Sequence, residues 1–146
     1  TENVAGIAGM GKALEMATEH LEERMAHEKV LRDYVIDRVL KNIPEARLNG
    51  GLEHRLPGNV NITFDGVEAE TLLLLLNEAG ICASAGSACS AGAVEPSHVL
   101  LALGLTPAQA KSTLRLTLDA ANTAEEIDTA AAVITACVQR LRDGVR

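Results

Sequence analysis

Apolar residues recur at three-and-four spacing from Ile7 to Leu40, first as Ile7, Met10, Leu14, Ala17 and Leu21, then as Leu31, Val35 and Val39. That spacing lines one face of an α-helix. Between the two stripes lies a charged stretch, Glu22-Glu23-Arg24 with His27-Glu28-Lys29. It fits either the solvated middle of one long helix or a break between two. Pro44 ends the pattern, and Asn49-Gly50-Gly51 is a turn signal. Asn59 to Asp65 then alternates polar and apolar with period two, which predicts a strand with one buried face. Asp65-Gly66 turns the chain, and Glu68 to Ala79 predicts a helix closed by Gly80 at the C′ position. Its five consecutive leucines, Leu72 to Leu76, cover more than one face, so packing from several sides is expected.

Ile81-Cys82-Ala83 reads as a short strand. From Ser84 to Ala93 nothing is larger than a cysteine, so this segment has almost no side-chain bulk to pin it to a core, and a mobile loop is expected over about 84–93. Glu95-Pro96 starts a helix running through Leu103 to Gly104, and Thr106-Pro107 starts another short one. Thr113 to Leu118 alternates again as a strand. Thr123 and Glu126 form a capping-box pattern ahead of a last helix whose buried stripe is Ile127, Ala131, Ile134, Val138 and Leu141. Helices and short strands alternate without linker or repeat. The expected architecture is therefore a single α/β domain over residues 1–146, a small, largely antiparallel sheet covered by helices. Strands so weakly apolar are not buried on both faces, so one side should be open to solvent or a partner.

Composition narrows the function classes. The 146 residues suit one ordinary domain, and 47% apolar with 23% charged residues is the balance of a soluble globular chain. With one Tyr, one Phe and no Trp, the core must be aliphatic, and stacking platforms for single-stranded nucleic acid do not exist. A net charge of −7 with no basic cluster repels phosphate backbones and anionic membrane surfaces. The longest apolar run, Leu72 to Leu76, is far short of the roughly 20 residues of a membrane span, and no signal peptide opens the chain. Neither nucleic acid nor membrane is an expected partner. Three cysteines without framework spacing suit a reducing cytoplasm. The chain opens at Thr1 without Met, which fits processing or membership of something longer.

Cys89 stands out because a thiol among Ala, Ser and Gly is sterically open. Local physics leaves two readings, a nucleophile or merely another small residue, because reactivity needs the thiolate. Cys82 beside Ile81 is expected to be a buried small hydrophobe, and Cys137 to pack structurally on the last helix. No Cys pair has metal-ligand spacing, so no metal site is expected. Arg115, between Leu114 and Leu116, points to the face opposite the leucines. It is either an ordinary solvent-facing Arg or a clamp for a carboxylate, which its planar fork suits. His20 and His27 belong on a solvated helix face, whereas His54 and His98 are placed to approach a site.

Ala83-Ser84-Ala85-Gly86-Ser87-Ala88-Cys89, followed by Glu95-Pro96-Ser97-His98-Val99-Leu100 and Ala102-Leu103-Gly104, closely resembles the active-site cysteine loop of cysteine desulfurases. The likeness is to the long-loop class that supplies sulfur for iron–sulfur clusters, including the enzyme of the nitrogenase system, within the class-V aminotransferase superfamily. Gly9-Met10-Gly11 with Ala13, Leu48-Asn49-Gly50, Ser112 to Leu118 and Thr123 to Asp128 extend it over nearly the whole chain. The resemblance implies the small C-terminal domain of a fold-type I pyridoxal-phosphate enzyme that converts L-cysteine to L-alanine. Cys89 matches the nucleophile that keeps the sulfur as a persulfide, and the resemblance implies a shared iron–sulfur ligand there during transfer. Arg115 matches the residue that pairs with the substrate carboxylate. Thr1 matches the threonine that reaches the cofactor phosphate of the neighbouring subunit in a homodimer. A sulfur-acceptor scaffold protein is the implied partner.

Two departures qualify the match. The family's cofactor lysine sits in a Ser-x-His-Lys context, and Lys12, Lys29, Lys41 and Lys111 have no such setting. Pyridoxal phosphate would then be held mainly by residues outside this chain, which alone should not turn over cysteine. After Leu118 the family commonly continues Gly-Arg, where this chain has Asp119-Ala120. The alternative to a desulfurase domain is a free-standing persulfide carrier or interaction module without cofactor.

Overall fold

A computed structural model describes residues 1–86 and 96–144. In chain order the elements are α1 (Val4–Thr18), α2 (Leu21–Asn42), β1 (Ala46–Leu48), β2 (Asn59–Phe64), α3 (Ala69–Glu78), α4 (His98–Ala102), α5 (Pro107–Lys111), β3 (Thr113–Thr117) and α6 (Ala124–Gly144). The strands form one antiparallel sheet in the order β1-β2-β3. Leu48 lies opposite Ile62, Ile62 opposite Leu114, and Val60 opposite Leu116, so one face is wholly apolar. Against that face pack Leu31, Val35 and Val39 of α2, Leu72 and Leu76 of α3, and Ile127, Ala131, Ile134 and Val138 of α6. The stripes expected of the second half of the first helical pattern and of the last helix are therefore the buried ones.

Side chains at the edges fix the helices to one another. Tyr34 Oη donates to Asp128 Oδ1 at 2.7 Å, and Arg38 reaches the same carboxylate through Nε at 2.9 Å and Nη2 at 2.8 Å, joining α2 to α6. These donors, Tyr34 first and then Arg38, hold the Asp128 carboxyl below its ordinary pKa. Near the other end of α6, Arg142 donates to the carbonyls of Pro44 and Asp65. The predicted capping box is made: Thr123 Oγ1 accepts from the Glu126 N–H at 3.2 Å, and Glu126 Oε2 accepts from the Thr123 N–H at 3.0 Å.

The first helical pattern divides into two helices, one of the two readings it allowed, with the break at Glu19-His20, just ahead of the charged stretch, where His20 adopts a left-handed φ of 58°. The stripe Ile7, Met10, Leu14 and Leu21 is not buried, and α1 buries none of its residues. Several expectations are corrected. α3 is not packed all round: Leu72 and Leu76 are buried and Leu73 packs beside them, while Leu74 is 68% exposed. No strand forms over Ile81-Cys82-Ala83; a single bridge forms one residue later, between Ser84 and Arg115. The helix after Pro96 is confined to His98–Ala102, since Ser97 is extended with ψ of 121°. β1 was not foreseen, because three residues are too few for a periodic signal. Glu95 and most of the expected mobile loop lie outside the described residues.

Candidate active site

The second face of the sheet is polar, and its side chains bond to one another. Asn49, just after β1, donates through Nδ2 to Asn61 Oδ1 at 2.8 Å and to Thr63 Oγ1 at 2.9 Å. Thr63 Oγ1 lies 2.9 Å from Thr113 Oγ1, which in turn bonds the Gln109 carbonyl of α5 at 2.9 Å. Thr63 Oγ1 also lies 3.1 Å from Asn49 Oδ1, so its one proton serves either Asn49 or Thr113, while Thr113 donates to Gln109. Thr63, Thr113 and Asn49 are buried, so α5 closes this end of the face. The open side foreseen for the sheet is limited to the other end, around Asn59, Arg115 and Thr117.

Arg115 sits at that transition. Its cross-strand partner is Asn61, whose amide oxygen is held by Asn49. On its other edge the Arg115 N–H donates to the Ser84 carbonyl at 2.7 Å, and the Ser84 N–H donates back at 3.0 Å. The Arg115 backbone is thus bonded to Ser84 on one edge and faces Asn61 on the other, while the residue is half-buried. It lines an open groove of about 400 Å³ with Glu28, Leu56, Pro57, Gly58 and Leu118. Gly58 makes this close packing possible: a Cβ there would lie 2.3 Å from the Leu118 carbonyl oxygen. The loop beside the groove is tied by Arg55, which donates to the carbonyls of Gly51, Asn59 and Asn49. Burial, with the Arg32 charge nearby, lowers the pKa of the Arg55 guanidinium.

The other candidates lie elsewhere. Cys89 lies outside the described residues, but the segment that carries it leaves the sheet at Ser84, the residue bridged to Arg115. Thr1 is exposed at the start of the chain, two residues before Asn3, whose side chain caps α1 through the Gly6 N–H at 3.0 Å. Cys82 is exposed, which corrects its expected burial: Ile81 and Ala83 turn toward the core, so the residue between them turns out. Cys137 packs against the core as expected, and burial raises its pKa. His54 and His98 are exposed, as is His27, whose Nε2 lies 3.1 Å from the Asn122 carbonyl oxygen. All four lysines occupy exposed helical positions, Lys12 paired with Glu15 and Lys41 with Asp37. Asn49, Thr63, Gly58 and Arg55 were missed by sequence reasoning. Asn49 carried a turn signal and a place in the resemblance, and Thr63 only the alternation of its strand.

The class-V aminotransferase family model matches residues 1–129. The chain belongs to that family. Among class-V relatives, the cysteine desulfurase IscS of Methanosarcina thermophila is 49% identical over 143 residues, which is 98% of this chain and 35% of the relative. A cysteine desulfurase of Nostoc sp. is 44% identical over 142 residues, covering 97% of this chain and 36% of the relative. A solved NifS-like protein superposes with a TM-score of 0.82 at 30% identity, over 96% of this chain and 35% of that one. The chain therefore spans about a third of the length of the curated relatives it matches. The class-V match runs through the sheet and the groove, so Arg115, Asn49 and Gly58 all fall inside it.

Proposed function

We propose that the chain is the C-terminal part of a homodimeric, cytoplasmic cysteine desulfurase that depends on pyridoxal phosphate. The observation that carries this reading is the match of 97–98% of the chain to proteins named cysteine desulfurase. Arg115, fixed by strand pairing on both edges, presents its planar fork to the carboxylate of L-cysteine. Cys89 is the nucleophile. Its thiolate attacks the substrate sulfur, an S–S bond forms, the substrate Cβ–S bond breaks, and Cβ takes up the proton that the Cys89 thiol gave up. The products are L-alanine and a Cys89 persulfide; carbon is reduced as sulfur is oxidised, so no outside oxidant is needed.

The cofactor, when bound, supplies the electron sink for this cleavage. The residues present do not fit its covalent attachment, because every lysine of the chain is an exposed helical residue and two are engaged in ion pairs. The anchoring lysine belongs to the rest of the full-length protein, and the 146-residue chain alone does not turn over. Thr1 contributes to the phosphate site of the neighbouring subunit's cofactor. The persulfide passes to a scaffold protein of iron–sulfur cluster assembly, with Cys89 as a shared ligand during transfer.

The test is the full-length protein supplied with L-cysteine, read by alanine release and by mass spectrometry of the persulfide. Cys89→Ser should abolish both without unfolding the protein, because a hydroxyl is not ionised at neutral pH. Cys82→Ala, at an exposed position, and Cys137→Ala should retain both. Near-normal alanine release from Cys89→Ser in the absence of added reductant would overturn the reading.

A further inference from the structure

Arg32, Arg38 and Arg47 are each paired with an aspartate, and Arg55 and Arg142 donate to backbone carbonyls. Arg115 makes no ion pair among the described residues, although Glu28 lines the same groove. One competitor for its guanidinium is Asn61, directly opposite on β2. Side chains so paired across two strands start about 5 Å apart, within reach of an amide and a guanidinium. An Asn61 oxygen turned toward Arg115 would accept from the fork and compete with a substrate carboxylate. The oxygen is turned the other way. Asn61 Oδ1 accepts from Asn49 Nδ2 at 2.8 Å, toward β1, which leaves Asn61 Nδ2 on the β3 side. An amide N–H cannot accept from a guanidinium.

Asn49 is held in place for this by its own bonds. Its N–H donates to the Asn61 carbonyl at 2.9 Å, and its carbonyl accepts from Arg55 Nη2. Its side chain is buried against Thr63. Whether the Thr63 proton goes to Asn49 or to Thr113, Asn49 Nδ2 stays on Asn61. We propose that Asn49 is a positioning residue for Arg115: it keeps the Asn61 oxygen away from the guanidinium, so that the fork stays free for the substrate carboxylate. The proposal rests on the reading of Arg115 as the carboxylate clamp of a desulfurase.

The test is Asn49→Leu in the full-length protein, which keeps a similar volume and removes the donor. KM for L-cysteine should rise roughly 3- to 10-fold with kcat within about twofold of the wild type. In an Asn61→Ala background there is no oxygen to turn, and the same substitution should change KM less than about twofold. An equal effect in both backgrounds overturns the proposal, because general loosening of the fold does not depend on Asn61. So does an unchanged KM in the single variant. Crystal structures give a second readout: a guanidinium nitrogen should lie about 2.7–3.2 Å from the Asn61 amide in Asn49→Leu and not in the wild type. A guanidinium that ignores Asn61 in Asn49→Leu also overturns the proposal. If Asn49→Leu does not fold, Asn61→Asp carries the test, since it keeps an acceptor for Asn49 and puts an oxygen on the Arg115 side. KM should then rise at least as much, and an unchanged KM is the contrary result. A wild type that releases no alanine, with the guanidinium drawn onto Asn61 in Asn49→Leu, sinks the assigned activity alone. Alanine release with equal KM effects in both backgrounds sinks the positioning role alone.

Discussion

On one side of β2, Val60, Ile62 and Phe64 are sealed among aliphatic residues of three helices; on the other, Asn61 and Thr63 are joined by hydrogen bonds to Asn49, and Thr63 to Thr113. The apolar side gains from area removed from water, which is large but has no direction, so a side chain of similar volume serves nearly as well. The polar side gains little net energy per bond, yet each bond fixes an orientation, and each buried group left without a partner is costly. A charged side chain such as Arg115 can be aimed only from the second kind of surface. Stability resides mainly on one face of this sheet and positioning on the other.

The comparison is broken most forcefully by Phe64→Ala, which should cost roughly 3–5 kcal/mol in denaturant unfolding. Phe64→Leu should cost well under half of that, since the apolar face asks for volume and not direction. Thr63→Val is the opposite case. The volume is kept, but the Asn49 amide loses one acceptor and the Thr113 hydroxyl loses its neighbour, for roughly 1–3 kcal/mol. A cost of only a few tenths would show that the polar face is not fixed by this network. The smallest effect is expected at the exposed rim that joins α2 to α6. The Asp128 carboxyl has a depressed pKa in the folded state, so its contribution is present above the ordinary carboxylate pKa and fades as pH falls through the lower folded value. The difference in thermal midpoint between the wild type and Asp128→Asn should therefore be present at neutral pH and shrink as pH falls below the ordinary carboxylate range.

The apolar face was legible in the sequence, because burial of Ile62, Leu114, Ile127 and Val138 follows directly from spacing. The polar face was legible only as alternation. Thr63 and Thr113 look like ordinary solvent-facing positions, and their burial follows from α5 folding back over them, a tertiary event that no local pattern records. Cys82 was misplaced because an apolar neighbour was taken for a buried environment, whereas alternation about Ile81 and Ala83 turns it outward. The stripe of α1 was legible as one apolar helix face, and its exposure was not, since periodicity shows that a face is apolar without saying what covers it. Arg115 was singled out by its position between two leucines. Its anchoring by Asn61 and Ser84 comes from strand register, which single-sequence spacing does not supply.

The most direct test of Arg115 as the carboxylate clamp is the steady-state kinetics of the full-length protein bearing Arg115→Lys, with the unfolding midpoint measured alongside. Lys keeps the charge but loses the planar two-point fork, so kcat/KM for L-cysteine should fall roughly 10- to 100-fold while the midpoint stays within about 1 °C of the wild type, because the half-buried Arg115 lines the groove and is not part of the core. An unchanged kcat/KM, or a loss of rate that only tracks a loss of folded protein, would contradict the account.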